Sequence, residues 1–528
     1  MAVTETPPET VAAAGSATPA ATRPAPTGLA AVLGSGDHKV IGRLYIVTSL
    51  LFGLATVVLG GLFAFESVDA ATLEVFSSGS VLQSFSLFRL ATVFLVAIPL
   101  VIGVAMAVVP LQVGAPAVAF PRAAAASYWA WLVGSLLFIA SYLMDGGPGG
   151  TSGSGVNLWI ASFGMVLVAI LLASLCLATT VFALRTSGLS LARTPLFSWS
   201  VAVAAVLWLF TLPVLVATLV VSYVDHRHAG GVLGGNAALA PRVGWALRNP
   251  QVYVVAIPLL GFFADVLATT AKARLALPGA ARAAIGGAGV VSFGAVLATN
   301  DASAVETPLV IAMGLAAVLP ALLIAGLIGD LFRRGSFRLT TGAVYAVSSL
   351  LLVLVATGAG ALGSIPALET AGTIYDIGVA HATLVAAVIA ALGGVHWWAT
   401  KIGRQGANES LGKLVPLVLL IGGLLVSAPH LVSGIAGEGI ETSPDWTGGI
   451  EGLNYVVVAG SVVLLLGLLL AAASFLPLFK ASDQSPRDPW EGQTLEWLSP
   501  SPPPIGNFDA DLPTVTSAEP LVDLREEN

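Results

Sequence analysis

The chain has little charge, little histidine and almost no cysteine for its length. Charged residues make up 10% of its 528 residues, against roughly 25% in an average soluble domain. So small a share cannot cover a globular surface of this size, which excludes an ordinary soluble enzyme and a basic protein that binds nucleic acid. A single cysteine, Cys176, excludes a disulfide within the chain.

Long apolar runs take the place of the missing charge. Roughly 20 helical residues cross the hydrocarbon core of a bilayer. We identify twelve runs of that order, at 42–66, 87–113, 126–145, 158–183, 199–223, 251–271, 284–300, 305–328, 341–362, 372–399, 413–435 and 453–479. They are too long for strands of a membrane β-barrel. The sequence therefore predicts an all-α membrane protein with twelve transmembrane helices in contact with membrane lipid.

The distribution of basic residues predicts the orientation. Of 22 Lys and Arg residues, 18 lie in the tails and in the alternate loops that share a side with the N-terminus. Three lie in one opposite loop and one, Arg89, lies inside a span. The positive-inside rule then places both termini in the cytoplasm. We divide the chain into a disordered cytoplasmic N-terminal tail (1–36), a transmembrane domain (37–480) and a Pro-rich, acidic cytoplasmic C-terminal tail (481–528).

Five groups of motifs resemble subunit I of the haem-copper oxidases, the cytochrome c oxidase family, and follow the same order. They are 37-DHKVIGRLYIVTSLLFG-53, 109-VPLQVGAPAVAFPR-122, 213-PVLVATLVVSYVDHRH-228 with 249-NPQVY-253, 379-VAH-381 with 396-HWWATKIGRQ-405, and 488-DPWEGQTLEWLSPSPPPIGNF-508. The resemblance implies a bundle of twelve helices in three pseudo-symmetric arcs. It also implies a respiratory-chain enzyme that reduces dioxygen with two haems and a copper ion, while the Ala-, Val- and Gly-rich composition suggests a bacterial source.

The haem ligands that the resemblance implies are mostly absent. The family's low-spin haem takes one axial His from the second helix and one from a His-x-His pair in the tenth, whose members point about 200° apart. Here the pair reads His381-Ala382-Thr383, and Leu87 aligns with the ligand of the second helix. We predict that the low-spin site is lost. His381 matches the ligand of the oxygen-binding haem, and because one axial His suffices in globins, a single haem stays an open alternative.

The copper ligands that the resemblance implies are absent too. Asn249 stands at the first, and Thr299 and Asn300 stand at the His pair. Imidazole suits copper, whereas neutral hydroxyl and amide groups compete poorly, so we predict no metal site. Gln251 replaces the acidic residue of the proton path, although Tyr253 remains. Only six His residues exist, too few to rebuild the sites elsewhere: His38, His226, His228, His381, His396 and His430.

Polar residues inside the spans have two interpretations. Arg89 either pairs with Asp301 or Asp376, or extends to the outer interface. The former metal region holds a set of polar side chains that would need partners in lipid-buried helices. This set forms either a structural hydrogen-bond network or a pathway for ions or small molecules: Asn249, Gln251, Tyr253, Thr299, Asn300, Asp301, His381 and Thr383.

The sequence thus favours a subunit I-like pseudoenzyme that acts as a structural or partner subunit of a respiratory or other membrane complex. Two alternatives stay open. The first is a terminal oxidase that passes electrons from cytochrome c to dioxygen and retains one haem through His381. The second is membrane transport through the polar set.

Overall fold

The computed structural model of the protein describes residues 32–68, 75–76, 80–228, 235, 239–248, 251–294, 306–439, 450–480 and 485–527. Within these ranges the regular structure is helical, apart from one isolated bridge between Thr373 and Gly439. The helices belong to one compact unit, Gly36–Asn528. Most of the predicted N-terminal tail lies outside the described residues.

Seventeen α-helices follow one another along the described chain. They are α1 (His38–Glu66), α2 (Val81–Ala91), α3 (Ile98–Gln112), α4 (Pro121–Leu143), α5 (Gly153–Ala183), α6 (Leu196–Arg227), α7 (Leu239–Arg248), α8 (Gln251–Ala271), α9 (Pro278–Gly294), α10 (Glu306–Ala316), α11 (Val318–Arg334), α12 (Thr341–Gly363), α13 (Tyr375–Trp397), α14 (Ala399–Ile402), α15 (Glu409–Ile435), α16 (Gly452–Phe475) and α17 (Pro520–Glu526). A π-helical segment, Thr92–Ala97, joins α2 to α3.

Eleven helical segments in the described residues are long and apolar enough to cross a membrane. They match eleven of the twelve predicted spans. The twelfth, 284–300, overlaps α9, which has 17 residues, and residues 295–300 lie outside the description. The prediction of an all-α, multi-span membrane protein is confirmed, and the count of twelve holds approximately.

Short polar residues begin several of these helices. The carboxylate of Asp37 accepts a hydrogen bond from the backbone N–H of Lys39 at 3.0 Å. The hydroxyl of Ser152 accepts one from Gly155 N, and that of Thr340 accepts one from Ala343 N. Because the first N–H groups of a helix lack partners inside it, such caps fix where an apolar run becomes helical.

The second span, α2 to α3, is the most buried in the bundle, and α1 crosses it closely. A Cβ atom on Gly42 of α1 would lie 2.6 Å from the carbonyl oxygen of Gly103 on α3. A Cβ atom on Gly103 would lie 2.9 Å from Ile46 Cγ1. Facing glycines let the two backbones approach, as is common between membrane helices, and this brings α1 against the centre of the bundle.

The C-terminal segment, residues 485–527, packs against one end of the bundle. Asn507 is fully buried there. Its side-chain amide donates to Ala115 O at 2.8 Å, and its oxygen accepts from Lys39 Nζ at 3.1 Å. Lys401 Nζ donates to Ser499 O at 2.5 Å. These contacts tie the segment to residues beside the ends of α1, α3 and α13, so that it forms a structured cap.

Candidate functional site

The predicted copper positions lie outside the part of the chain that the structure describes. This applies to Asn249, Thr299 and Asn300, and to Asp301 of the proposed polar set. Gln251 begins α8, but its side chain also falls outside the description. Their roles therefore stay predictions from the sequence.

Tyr253 lies on the opposite face of α13 from His381. A Cβ atom on Gly360 of α12 would lie 2.5 Å from Tyr253 Oη and 3.6 Å from Val379 Cγ1. Tyr253 and Val379 therefore meet at the same point of α12. His381, two residues after Val379, points to the other side of the helix, as the helical repeat requires. In the sequence His381 matches the first place of the His-x-His pair, and the structure shows that His381 and Tyr253 lie on opposite faces of α13.

His381 packs between two other rings. Its ring centroid lies 5.6 Å from that of Phe88 on α2 and 5.1 Å from that of His430 on α15, both in edge-on arrangements. The Nδ1 atom of His381 is buried and has no hydrogen-bond partner. His430 Nδ1 lies 2.5 Å from Val426 O one turn earlier in its own helix. The predicted haem ligand is therefore part of an aromatic cluster.

On the second span, Phe88 contacts His381. In the sequence, the neighbouring residue, Leu87, aligns with the family's ligand in this helix. A π-helical turn at Thr92–Ala97 follows these residues. A π-turn widens the helix locally and changes which residues face a neighbour.

A cavity of about 490 Å³ opens beside His381. Its wall follows α1 from Ser49 to Ser67, a distance of about 27 Å at the helical rise. Helices α2, α3, α13, α15 and α16 complete the wall. The hydroxyl of Ser49, a fully buried residue, has no hydrogen-bond partner. Two polar atoms without protein partners, Ser49 Oγ and His381 Nδ1, therefore belong to residues that line one cavity.

The residues around this cavity do not fit a haem. The haem iron would bind a nitrogen of His381, yet Phe88 and His430 contact the ring of His381. Haem also carries two carboxylates, and no Lys or Arg is among the described residues that line the cavity. An iron bound to His381 on this side would meet Phe88, which is not an imidazole, at the position opposite His381. We therefore derive no chemistry through a haem here.

Three further polar residues of the sequence analysis, Thr383, Arg89 and Asp376, lie in the described residues. The hydroxyl of Thr383 donates to Val379 O, at 2.9 Å in its own helix. The guanidinium of Arg89 lies over the ring of Phe85 at 5.8 Å. Asp376 is half-buried in the first turn of α13. No three His, Cys, Asp or Glu side chains converge as a metal site within the described ranges.

A second polar cluster, which the sequence did not reveal, joins the cap to the bundle. Gln112 Nε2 donates to Glu496 Oε1 at 3.1 Å, and Trp398 Nε1 donates to the same oxygen at 3.1 Å. The carboxylate of Asp265 accepts from the backbone N–H groups of Leu196 and Phe197. Burial raises the pKa of Glu496. These residues come from five distant parts of the chain, so no spacing pattern in the sequence predicts them.

Comparison with known proteins agrees with this architecture. The sequence model of the family described as cytochrome c and quinol oxidase polypeptide I matches residues 40–478. The chain is 30% identical to a putative cytochrome c oxidase subunit 1-beta of Streptomyces coelicolor, over 92% of this chain and 89% of the relative. It is 26% identical to cytochrome c oxidase subunit 1 of Bacillus subtilis, over 92% and 81%.

A solved structure shares the fold. It is a heme-copper terminal oxidase dimer determined by cryo-EM, with a TM-score of 0.68, 15% sequence identity and coverage of 86% of this chain and 84% of that one. At this identity the likeness concerns the fold alone. The match of the family to most of the chain decides the assignment: this protein belongs to the cytochrome c and quinol oxidase polypeptide I family.

Proposed function

We propose that this chain is a subunit I-like member of the family that does not carry the two-haem and copper chemistry, and that it acts as a structural or partner subunit of a membrane complex. The observation that carries this proposal is the packing of His381 against Phe88 and His430. An imidazole held between two rings is suited to packing rather than to binding an iron. The residue types at 249, 299 and 300 agree with the same proposal.

The cap supports a role in assembly. Glu496, Asn507 and Lys401 are buried and hydrogen-bonded in it. Such contacts hold one end of the bundle in a fixed form, which a neighbouring subunit can recognise without first ordering it. We also propose that both termini lie in the cytoplasm, so that this surface faces the cytoplasm.

The test begins with the full-length protein purified in a mild detergent. Elemental analysis and a reduced-minus-oxidised absorption spectrum are measured on the same sample. We expect less than stoichiometric iron and copper and no haem a-type band. Two irons and one copper for each chain would overturn the proposal that the redox centres are lost.

Assembly is tested separately. A tagged full-length chain is extracted in the same detergent and analysed by native electrophoresis and mass spectrometry. We expect a complex with defined membrane partners in constant ratio. Recovery of the isolated monomer alone would count against the role as a partner subunit, whatever the metal content.

The alternative candidate, a terminal oxidase that keeps one haem through His381, gives a different result in the same test. This candidate predicts one iron for each chain and a haem spectrum that His381→Leu abolishes. The candidate fails if the purified wild-type protein contains no stoichiometric iron.

A further inference from the structure

A short turn between two membrane spans carries apolar and basic side chains side by side. Residues 335–340 join α11 to α12, which both belong to spans, so the turn lies where the membrane meets water. Phe332, Phe337 and Leu339 are exposed there, by 37%, 39% and 64%. The ring centroids of Phe332 and Phe337 lie 4.6 Å apart. The turn therefore presents an apolar surface at the depth of the lipid head groups.

The backbone of this turn is fixed against α8. Ser336 N donates a hydrogen bond to Ala271 O at 2.9 Å, and Arg338 N donates one to Thr270 O at 3.3 Å. A Cβ atom on Gly335 would overlap Ala271 O, so only a glycine lets the two backbones approach here. Because the surface is already ordered, a ligand binds it at a small cost in conformational entropy.

The turn carries more positive charge than its own acidic residue neutralises. Residues 330–339 include three arginines and one aspartate. Asp330 pairs with Arg333 at 3.2 Å and with Arg334 at 2.7 Å, and the side chain of Arg333 stays 79% exposed. The guanidinium of Arg338 is exposed and makes no hydrogen bond or ion pair with any residue that the structure describes. This guanidinium is therefore available to a ligand.

Two acidic residues of the cap near this turn already pair with other basic side chains. The charge of Arg338 contributes to the lowered pKa of Glu491, yet the Glu491 carboxylate pairs with Lys272 at 2.5 Å. Asp523 pairs with Arg274 at 2.6 Å. These pairs place the turn at the end of the bundle that carries the cap. A net positive charge remains on the turn for a ligand that approaches from the membrane.

A ligand for this surface needs a negative head group and an apolar part. A phosphate accepts charge-assisted hydrogen bonds from guanidinium groups, and basic residues beside a span attract anionic lipids. The exposed rings suit acyl chains, which a free phosphate lacks. We propose that residues 332–339 bind one anionic phospholipid of the adjacent leaflet. Its phosphate binds Arg333 and Arg338, and its acyl chains pack on the two phenylalanine rings.

Binding is tested by native mass spectrometry of the full-length protein in detergent. Phosphatidylglycerol, phosphatidylethanolamine and phosphatidylcholine with the same acyl chains are added one at a time. We expect phosphatidylglycerol to be retained at about one molecule for each chain, and about fivefold or more above the other two lipids. Equal retention of the three lipids would overturn the proposal, as would displacement of phosphatidylglycerol by millimolar inorganic phosphate.

Two substitutions should change the binding in opposite directions. Arg338→Gln removes the unpaired guanidinium, so we expect the retention of phosphatidylglycerol to fall about fivefold, with the other lipids unchanged. Asp330→Asn releases two arginines from their acidic partner, so we expect retention to rise about fivefold. Loss of the fold cannot produce such a gain.

Each substitution has a matched control. Arg122→Gln removes an exposed arginine at the start of α4, close to the exposed Phe120 but without a second arginine on its turn. Asp509→Asn releases Arg487, which lies in the cap. Both controls should retain phosphatidylglycerol as the wild type does. Wild-type retention in both test variants would overturn the proposal, and this result does not depend on the metal content measured above.

Discussion

The imidazole of His381 lies edge-on to the ring of Phe88, with ring centroids 5.6 Å apart. Phe88 stands on the second span and His381 on α13, so two helices that could sandwich a flat cofactor meet instead through their own side chains. One substitution changes this contact and tests the proposal that the chain lacks the low-spin haem.

Phe88→His places a second imidazole opposite His381. If the loss of this ligand keeps the site from binding a haem, the variant should give a six-coordinate spectrum with added hemin, because two imidazoles can then bind one iron. The wild type should give none. Leu87→His, one residue away and not lining the cavity, serves as the control. A wild-type spectrum equal to that of Phe88→His would contradict this prediction.

Glu496→Gln should stabilise the protein at neutral pH. Burial raises the pKa of Glu496 above its ordinary value of 4.5. Because the folded chain holds this proton more tightly than the unfolded chain, the contribution of Glu496 to stability is complete below pH 4.5. It is lost as the pH rises through the raised pKa. Glutamine does not ionise, so the variant does not lose this stability. At neutral pH we expect its free energy of unfolding to exceed that of the wild type by about 1.4 kcal/mol for each unit by which the pKa of Glu496 is raised.

The measurement is the thermal unfolding midpoint in detergent between pH 4 and pH 8, compared with Glu491→Gln. Glu491 is exposed, and a hydrogen bond from Lys272 lowers its pKa. Its replacement should bring no gain at pH 7. A wild-type midpoint that rises with pH as much as that of Glu496→Gln would show that Glu496 does not titrate as expected.

Lys401→Met should loosen the cap. Lys401 Nζ donates to Ser499 O and to Ser501 Oγ, and it lies 5.6 Å from the centroid of the Trp497 ring. Removing a buried donor leaves these acceptors without partners, at a cost of about 1–3 kcal/mol. Limited proteolysis should then cleave residues 485–527 faster than in the wild type. Lys480→Met, at an exposed lysine, should leave the cleavage rate unchanged.

Gly42→Val should disrupt the crossing of α1 and α3. Even a Cβ atom at Gly42 would lie 2.6 Å from Gly103 O, a backbone atom that cannot move alone. We expect a loss of about 1–3 kcal/mol of stability, the usual cost of overpacking, seen as a lower unfolding midpoint in detergent. Gly286→Val, in open space, is the control and should unfold near the wild-type midpoint.

Membrane orientation is tested with two added cysteines. Glu527→Cys should react with an impermeant maleimide only after the cytoplasmic side is opened, whereas Ser154→Cys, at the exposed start of α5, should react in intact cells. The native Cys176 is fully buried and should stay unlabelled in the wild type. Labelling of Glu527→Cys in intact cells would reverse the predicted orientation.

The positions of the membrane-spanning helices could be predicted from the sequence. Apolar runs such as 158–183 and 341–362 must form helices in lipid, since no water is available to their backbone groups, and the structure has helices there, α5 and α12. The motifs from residue 37 to residue 508 identified the family. The placement of His381 and Tyr253 on opposite faces of α13 did not follow from them, because motifs give the order of residues along the chain and not the way that neighbouring helices pack.

The sequence by itself determined the spans, the family and the residue types at the positions aligned with the family's metal ligands, because hydrophobicity and chemical identity are properties of each segment alone. Only the tertiary structure decided that Phe88 faces His381, that His430 joins them, and that Glu496 reaches Gln112. The π-turn at Thr92–Ala97 changes which side of the second span faces inward, and the buried clusters join residues hundreds of positions apart. Such relations depend on how helices pack, which no single segment encodes.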